Sequence, residues 1–253
     1  MITDCHIHLK QICELDPETV DYILRTEYSA LVSCHSNEDL EFALKIKELK
    51  GSRSGRIYIS YGVHPFSLDP EELEILKNLV SERKIDAIGE IGLDRYSAEQ
   101  KKSFERQLEF FEIQLKIAES AGLPAVFHLR KSMQEFFTFS KEISYLKAVV
   151  FHSYSGTASE ARSVLSRGIN AFFSFGTPIL NGHIKAIAAV SEIPLENILI
   201  ETDAPYQPLK NKEWTSAVEI ELILLKISEI KKVDLFVARQ IILSNFVKML
   251  TKV

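Results

Sequence analysis

Eight times along this chain a short apolar segment gives way to a longer one whose apolar residues recur at helical spacing. The apolar segments cover 2–8, 30–35, 57–63, 85–91, 124–128, 147–152, 169–175 and 197–202, and their length and composition are those of buried strands. Helical patterns fill 17–28, 38–50, 70–83, 97–121, 131–144, 158–167, 181–191 and 215–230, with a last helix at 233–252. Parallel strands joined by helices cross over right-handedly, and eight such units close on themselves. The expected fold is an α/β TIM barrel, a (β/α)8 barrel, with residues 1–253 as a single domain; that length is ordinary for one. Local signals agree. Asp16 and Asp69 precede Pro17 and Pro70 as capping residues before first-turn prolines, and Gly122 and Gly168 stand where helices should stop.

In such a barrel the C-terminal ends of the strands meet at one mouth. The residues at those ends share a chemistry: His6 and His8 in DCHIH, His64 in YISYGVHP, Glu90 in DAIGEIGLD, His128 in PAVFHLR, His152 in AVVFHSYSG and Asp203 in ILIETDAP. Alternation along a strand puts i and i+2 on one face, so His6 and His8 can chelate one ion, with Asp4 on their side and Cys5 and Ile7 on the other. Any one of these histidines alone would read as a satisfied structural residue, but their recurrence at successive strand ends favours a common site. Imidazole and carboxylate donors together suit Zn²⁺, Mn²⁺ or Fe²⁺, whereas Ca²⁺ and Mg²⁺ alone favour all-oxygen sites. His6, His8, Glu90, His128, His152 and Asp203 exceed one tetrahedral shell and suffice for two divalent ions (Zn, Mn, Mg or Fe), with Glu90 placed to bridge. Two ions about 3.5–4 Å apart can stabilise both the attacking and the leaving oxygen of an in-line displacement.

The motifs DCHIHL, GVHP, GEIGLD, FHLR, FHSYSG and ETDAPY, in this order and spacing, resemble the TatD family of metal-dependent deoxyribonucleases within the amidohydrolase superfamily. The resemblance runs from Asp4 to about Asn245. It implies a two-metal barrel that hydrolyses phosphodiesters, typically as a 3′–5′ DNA exonuclease. It also implies that His6, His8, Glu90 and Asp203 hold one ion, that Glu90, His128 and His152 hold the other, and that His64 and Arg130 contact substrate phosphate. The guanidinium fork of Arg130 fits phosphate oxygens. The chain departs from the family pattern at Phe66, where a second histidine is common, and at Lys131, where an acid is common.

Mechanistically these residues point to metal-assisted hydrolysis of a phosphoester, with Asp203 as general base and Glu90 as bridging carboxylate. The expected partner is DNA or a small phosphoester. Two other readings stand beside it: a hydrolase of a small amide, lactone or phosphoester on the same barrel, and a non-enzymatic metal-binding protein, which a complete donor set argues against. A net charge of −5 gives no general attraction for polyanions, so nucleic-acid binding has to be local. Cys5, Cys13 and Cys34 suggest no disulfide framework, and the absence of a leader-like N-terminus or a membrane-length apolar run leads to a cytoplasmic expectation with no membrane partner.

Several further residues carry paired readings. Asp4 is either an acceptor orienting a ligand histidine or a buried carboxylate satisfied by backbone amides. Glu201 and Asp94 either support their partners Asp203 and Glu90 or are satisfied polar groups. His35 ends the second strand and either reaches the mouth or, the favoured reading, is a hydrogen-bonded loop histidine; His183 is expected as a surface residue, and Asn245 and Phe246 as packing residues of the last helix.

Overall fold

The computed structural model describes residues 1–251. Strands β1 (Ile2–Ile7), β2 (Tyr28–Cys34), β3 (Ile57–Tyr61), β4 (Ala87–Asp94), β5 (Ala125–Arg130), β6 (Val149–Phe151), β7 (Ala171–Phe175) and β8 (Ile198–Ile200) pair in sequence order. All neighbours are parallel, as a right-handed strand-helix repeat requires. β8 meets β1 through two backbone bonds at the mouth: the His8 amide donates to the Ala204 carbonyl at 2.9 Å and the Asp203 amide to the His6 carbonyl at 3.0 Å. The carboxylate of Asp4 ties the same seam, accepting the Thr202 amide at 3.0 Å and the Thr202 hydroxyl at 2.6 Å.

Around the strands run helices α1 (Leu9–Leu15), α2 (Glu18–Arg25), α3 (Asn37–Lys50), α4 (Pro70–Ser81), α5 (Ala98–Lys102) and α6 (Phe104–Ala121). They continue with α7 (Met133–Thr138), α8 (Ser140–Ser144), α9 (Ala158–Leu165), α10 (Ile184–Glu192), α11 (Ile220–Lys231) and α12 (Leu235–Leu250). Ile7, Val32, Ile59, Phe111 and Ile223 belong to the apolar layer between strands and helices. A second core of Cys5, Leu31, Ala87, Val126, Val150, Phe172 and Leu199 fills the barrel, joined by Phe246 and Met249 of α12. Burying both strand faces is what makes the strand sequences nearly continuous in apolar residues. No helix among the described residues is long and apolar enough to cross a membrane.

The structure departs from the sequence reading in several places. Strict alternation fails in β1, whose register slips between Asp4 and Ile7. Cys5 therefore lies in the inner core while Ile7 stays in the outer layer, although alternation puts them on one face. Residues 9–15 form a helix that was not expected, anchored by buried Leu9 and Ile12. The long helix expected at 97–121 breaks at Ser103, where the side chain of Gln107 donates to the Gln100 carbonyl at 2.9 Å. The one expected at 131–144 breaks at Phe139. β2 starts at Tyr28 instead of residue 30, since Tyr28 and Ser29 pair with Ile2 and Thr3. Residue 252, the expected end of the last helix, lies outside the described residues. Asp69 caps α4 through the Glu71 amide, and Gly122 ends α6 in the left-handed conformation; Asp16 instead accepts the Thr19 hydroxyl at 3.2 Å.

Candidate metal centre

Glu90 occupies the middle of the mouth, delivered there by a β4 strand that runs very close to β5. A Cβ on Gly92 would lie 1.9 Å from the His128 carbonyl oxygen, so glycine alone permits this approach. Glu90 turns one oxygen to each side. Oε1 faces His35 Nε2 at 3.0 Å, His6 Nε2 at 3.2 Å and His8 Nε2 at 3.7 Å. Oε2 faces His128 Nδ1 at 3.5 Å, His152 Nε2 at 3.6 Å and His64 Nε2 at 3.8 Å. Asp203 Oδ1 lies 3.4 Å from His8 Nε2 and 3.8 Å from His6 Nε2, while its other oxygen accepts the Gln207 amide.

The structure thus brings together all six nominated donors and His64. Arg130 stands at the rim, its guanidinium 4.1 Å from the Tyr96 ring centroid and 3.7 Å from Asp94. Asp94 and Glu201 support ligand-bearing strands directly: Asp94 meets His128 Nε2 at 3.0 Å, and Glu201 meets His152 Nδ1 at 3.1 Å. Such carboxylates orient an imidazole and raise its basicity. The loop reading of His35 is corrected, because its ring makes the shortest contact to Glu90. Asp4 touches no candidate ligand ring; it accepts the Tyr28 hydroxyl at 2.5 Å and the His6 amide at 3.2 Å besides Thr202. His183 is exposed at the start of α10. The sequence reading passed over Gln207 and Tyr206, whose ring meets His8 edge-on at 4.8 Å. Neither lies at a strand end, so position gave no signal. Lys131, Ser153, Asp203 and Gln207, all around the mouth, have positive φ, a conformation rare outside glycine.

The electrostatics follow from this crowding. Burial alone would raise the Glu90 carboxyl, but the His6 and His152 rings and hydrogen bonds from His128 and His35 hold it well below the usual carboxylate range. Asp203 is held down against its burial chiefly by His152 and His8. His6 is lowered by burial and by the neighbouring His152. His152 goes the other way: burial lowers it, yet the Glu201, Asp203 and Glu90 carboxylates push it up to about 10. His64, with less compensation, falls to about 3 through burial.

These residues fit divalent ions. His6 Nε2 and His8 Nε2 are 3.3 Å apart, close to the edge of roughly 3.3–3.4 Å that a tetrahedral shell with 2.0–2.1 Å metal–nitrogen bonds demands. The donor atoms of His6, His8 and Asp203 cluster within 4.8 Å of one another, as do those of His6, Glu90 and His152 and those of His64, Glu90 and His128. So many inward lone pairs on buried atoms call for cations.

A (β/α)8 barrel carrying an imidazole–carboxylate centre at its mouth defines the class, a metal-dependent hydrolase. The chain belongs to the TatD-related DNase family, which matches residues 3–251. It is 28% identical over 250 residues to an uncharacterized metal-dependent hydrolase of Methanocaldococcus jannaschii, covering 96% of this chain and 94% of that one. It is 27% identical over 266 residues to a putative deoxyribonuclease of Danio rerio, covering 98% and 97%. Its fold matches the crystal structure of a TatD homolog from Escherichia coli K12 with TM-score 0.85 at 23% identity, covering 98% of this chain and 97% of the other.

Proposed function

We propose that the chain hydrolyses phosphodiester bonds, with DNA as substrate and 3′–5′ exonuclease polarity. His6, His8, Glu90 and Asp203 would hold one divalent ion, and Glu90, His128 and His152 a second. The observation that carries this reading is the division of Glu90, whose two oxygens face two different sets of imidazoles. DNA is favoured by the family and by the name of the Danio rerio relative, a putative deoxyribonuclease.

Bound divalent ions supply Lewis acidity and lower the pKa of water. The chain's own residues do the rest. Asp203 is ionised, with Oδ1 facing the His6 and His8 rings, and it serves as the proton acceptor. Gln207 holds the other oxygen and fixes the carboxylate plane. Arg130, stacked on Tyr96 and only partly engaged by Asp94, offers its guanidinium to phosphate oxygens. His64 accepts the Phe66 amide at Nδ1, 3.2 Å away, which leaves Nε2 as the N–H. With its pKa near 3 it stays neutral, so it contributes a hydrogen bond to substrate and not a charge.

The test incubates metal-reconstituted protein with single-stranded DNA, duplex DNA, small phosphoesters, amides and lactones. Release of mononucleotides from 3′ ends is expected, together with a 10²–10⁴-fold loss of turnover in Asp203→Asn at saturating metal, typical of a missing general base. Faster cleavage of a small amide or lactone than of any nucleic acid would replace this reading with the small-substrate one.

A further inference from the structure

A cavity of about 340 Å³ beside β5 and β6 opens onto His152, and the chemistry above makes no use of it. Its walls hold five charged side chains: Lys131, Lys185, Arg95, Glu135 and Glu160. Three of them are already committed. Arg95 and Glu135 form an ion pair. Glu160 accepts the Thr157 amide at 2.6 Å and the Thr157 hydroxyl at 2.8 Å, closing the capping box at the start of α9.

That leaves two lysines. Among the described residues neither Lys131 nor Lys185 has a carboxylate partner; Lys131 rests its ammonium 4.5 Å from the Tyr96 ring, the same ring that carries Arg130. Lys131 is also held at φ +54°, an expensive conformation for a side chain of this kind, which persists where surrounding structure fixes a direction. Capping leaves the charge of Glu160 in place, so the five side chains leave the cleft one net positive charge, a local positive bias in a chain of net charge −5 that is carried by two ammonium groups without a carboxylate partner. The cleft touches a candidate ligand, so whatever anion it holds lies next to the reacting centre.

We propose that this cleft is a second anion subsite, which takes the phosphate adjacent to the one being hydrolysed. The inference rests on the phosphodiester reading and narrows it to substrates carrying a neighbouring phosphate, as a polynucleotide end does and an isolated phosphodiester does not. Ammonium groups suit the task, being point charges on flexible stems that follow a phosphate without demanding one fixed geometry. Contacts of this kind position a strand without reading its bases.

The experiment compares Mn²⁺-loaded protein on three dinucleotides: dithymidine monophosphate alone, and the same molecule with an extra phosphate at its 5′ or its 3′ end. The expected result is a kcat/KM at least tenfold higher for one of the phosphate-bearing forms. Lys131→Ala/Lys185→Ala should cut that preference about tenfold, each exposed contact accounting for roughly threefold. Lys131→Arg/Lys185→Arg, which keeps the charges, should retain it. Binding of the fluorescently labelled dinucleotides gives a readout independent of turnover and should show the same ranking, and thermal unfolding of each variant checks that it is folded. Cleavage of all three without preference, or a preference that the double alanine variant keeps, overturns the subsite and leaves the phosphodiester reading standing. Failure to cleave any dinucleotide, with hydrolysis of an amide or lactone instead, removes both.

Discussion

At the scale of single residues the mouth is governed by Glu90 and His152. Glu90→Gln keeps the shape of the side chain but removes the charge that both sets of imidazoles face, so elemental analysis should show both ions weakened, whereas His6→Ala should mainly affect one. Full two-ion occupancy in the Gln variant would contradict the bridge. His152 gives a pH prediction. In the metal-free protein its pKa is raised from 6.5 to about 10, so its contribution to stability is complete below about 6.5 and is lost as pH rises through about 10. Thermal unfolding of metal-free protein should therefore weaken between pH 7 and 10, and less so in His152→Gln. Because a ligating imidazole must be neutral, metal uptake at pH 7 should also release protons, measurable with a pH indicator, and apparent affinity should strengthen as pH rises. Much of this cluster was legible in the sequence, since His6, His8, His64, Glu90, His128, His152 and Asp203 all lie in or within three residues of the C-terminal halves of apolar strands. His35 was not, because a histidine one residue beyond Cys34 looks the same whether it turns into the mouth or stays in its loop.

At the scale of elements, the strands were readable because both of their faces are buried, which writes them as apolar runs. Irregularities leave no such mark. Nothing in the composition of Asp4 to Ile7 announces the slip that puts Cys5 in the inner core, and the break at Ser103 depends on the side chain of Gln107 reaching backbone that a helical pattern alone treats as continuous. The last helix shows how one residue secures an element. Asn245, expected to pack, is buried and donates from its amide nitrogen to the carbonyls of Leu195 and Ile198, both at 2.8 Å. Asn245→Ala would remove two buried hydrogen bonds at the entry to β8, where the Leu195 carbonyl keeps the Ile198 amide as a partner, a loss of about 1–3 kcal/mol. Urea denaturation should show it as a lower midpoint with little change in slope; a shift under 1 kcal/mol would mean that packing of Phe246 and Met249 holds α12 by itself.

At the scale of the whole molecule, ion binding and folding are coupled. Each ion at a hundredfold its dissociation constant adds about 2.7 kcal/mol, so a chelator should lower the thermal midpoint by roughly 5–10 °C per ion removed for a chain of this size. The loss should not be spread evenly. Among the described residues β8 and β1 are joined at the mouth by two backbone bonds, by Asp4 and by a Cys5–Glu201 contact, and the first set of candidate donors straddles that joint, with His6 and His8 on one side and Asp203 on the other. Hydrogen exchange should accordingly quicken first at the amides of His8 and Asp203 when metal is removed, ahead of those between β4 and β5. The seam also has a consequence for how the protein is made. β1 waits for a partner nearly two hundred positions later in the chain, so a nascent or truncated copy lacking β8 carries His6 and His8 without Asp203. On the proposed reading, chemical competence arrives only with β8, and copies that lack it are expected to be inert.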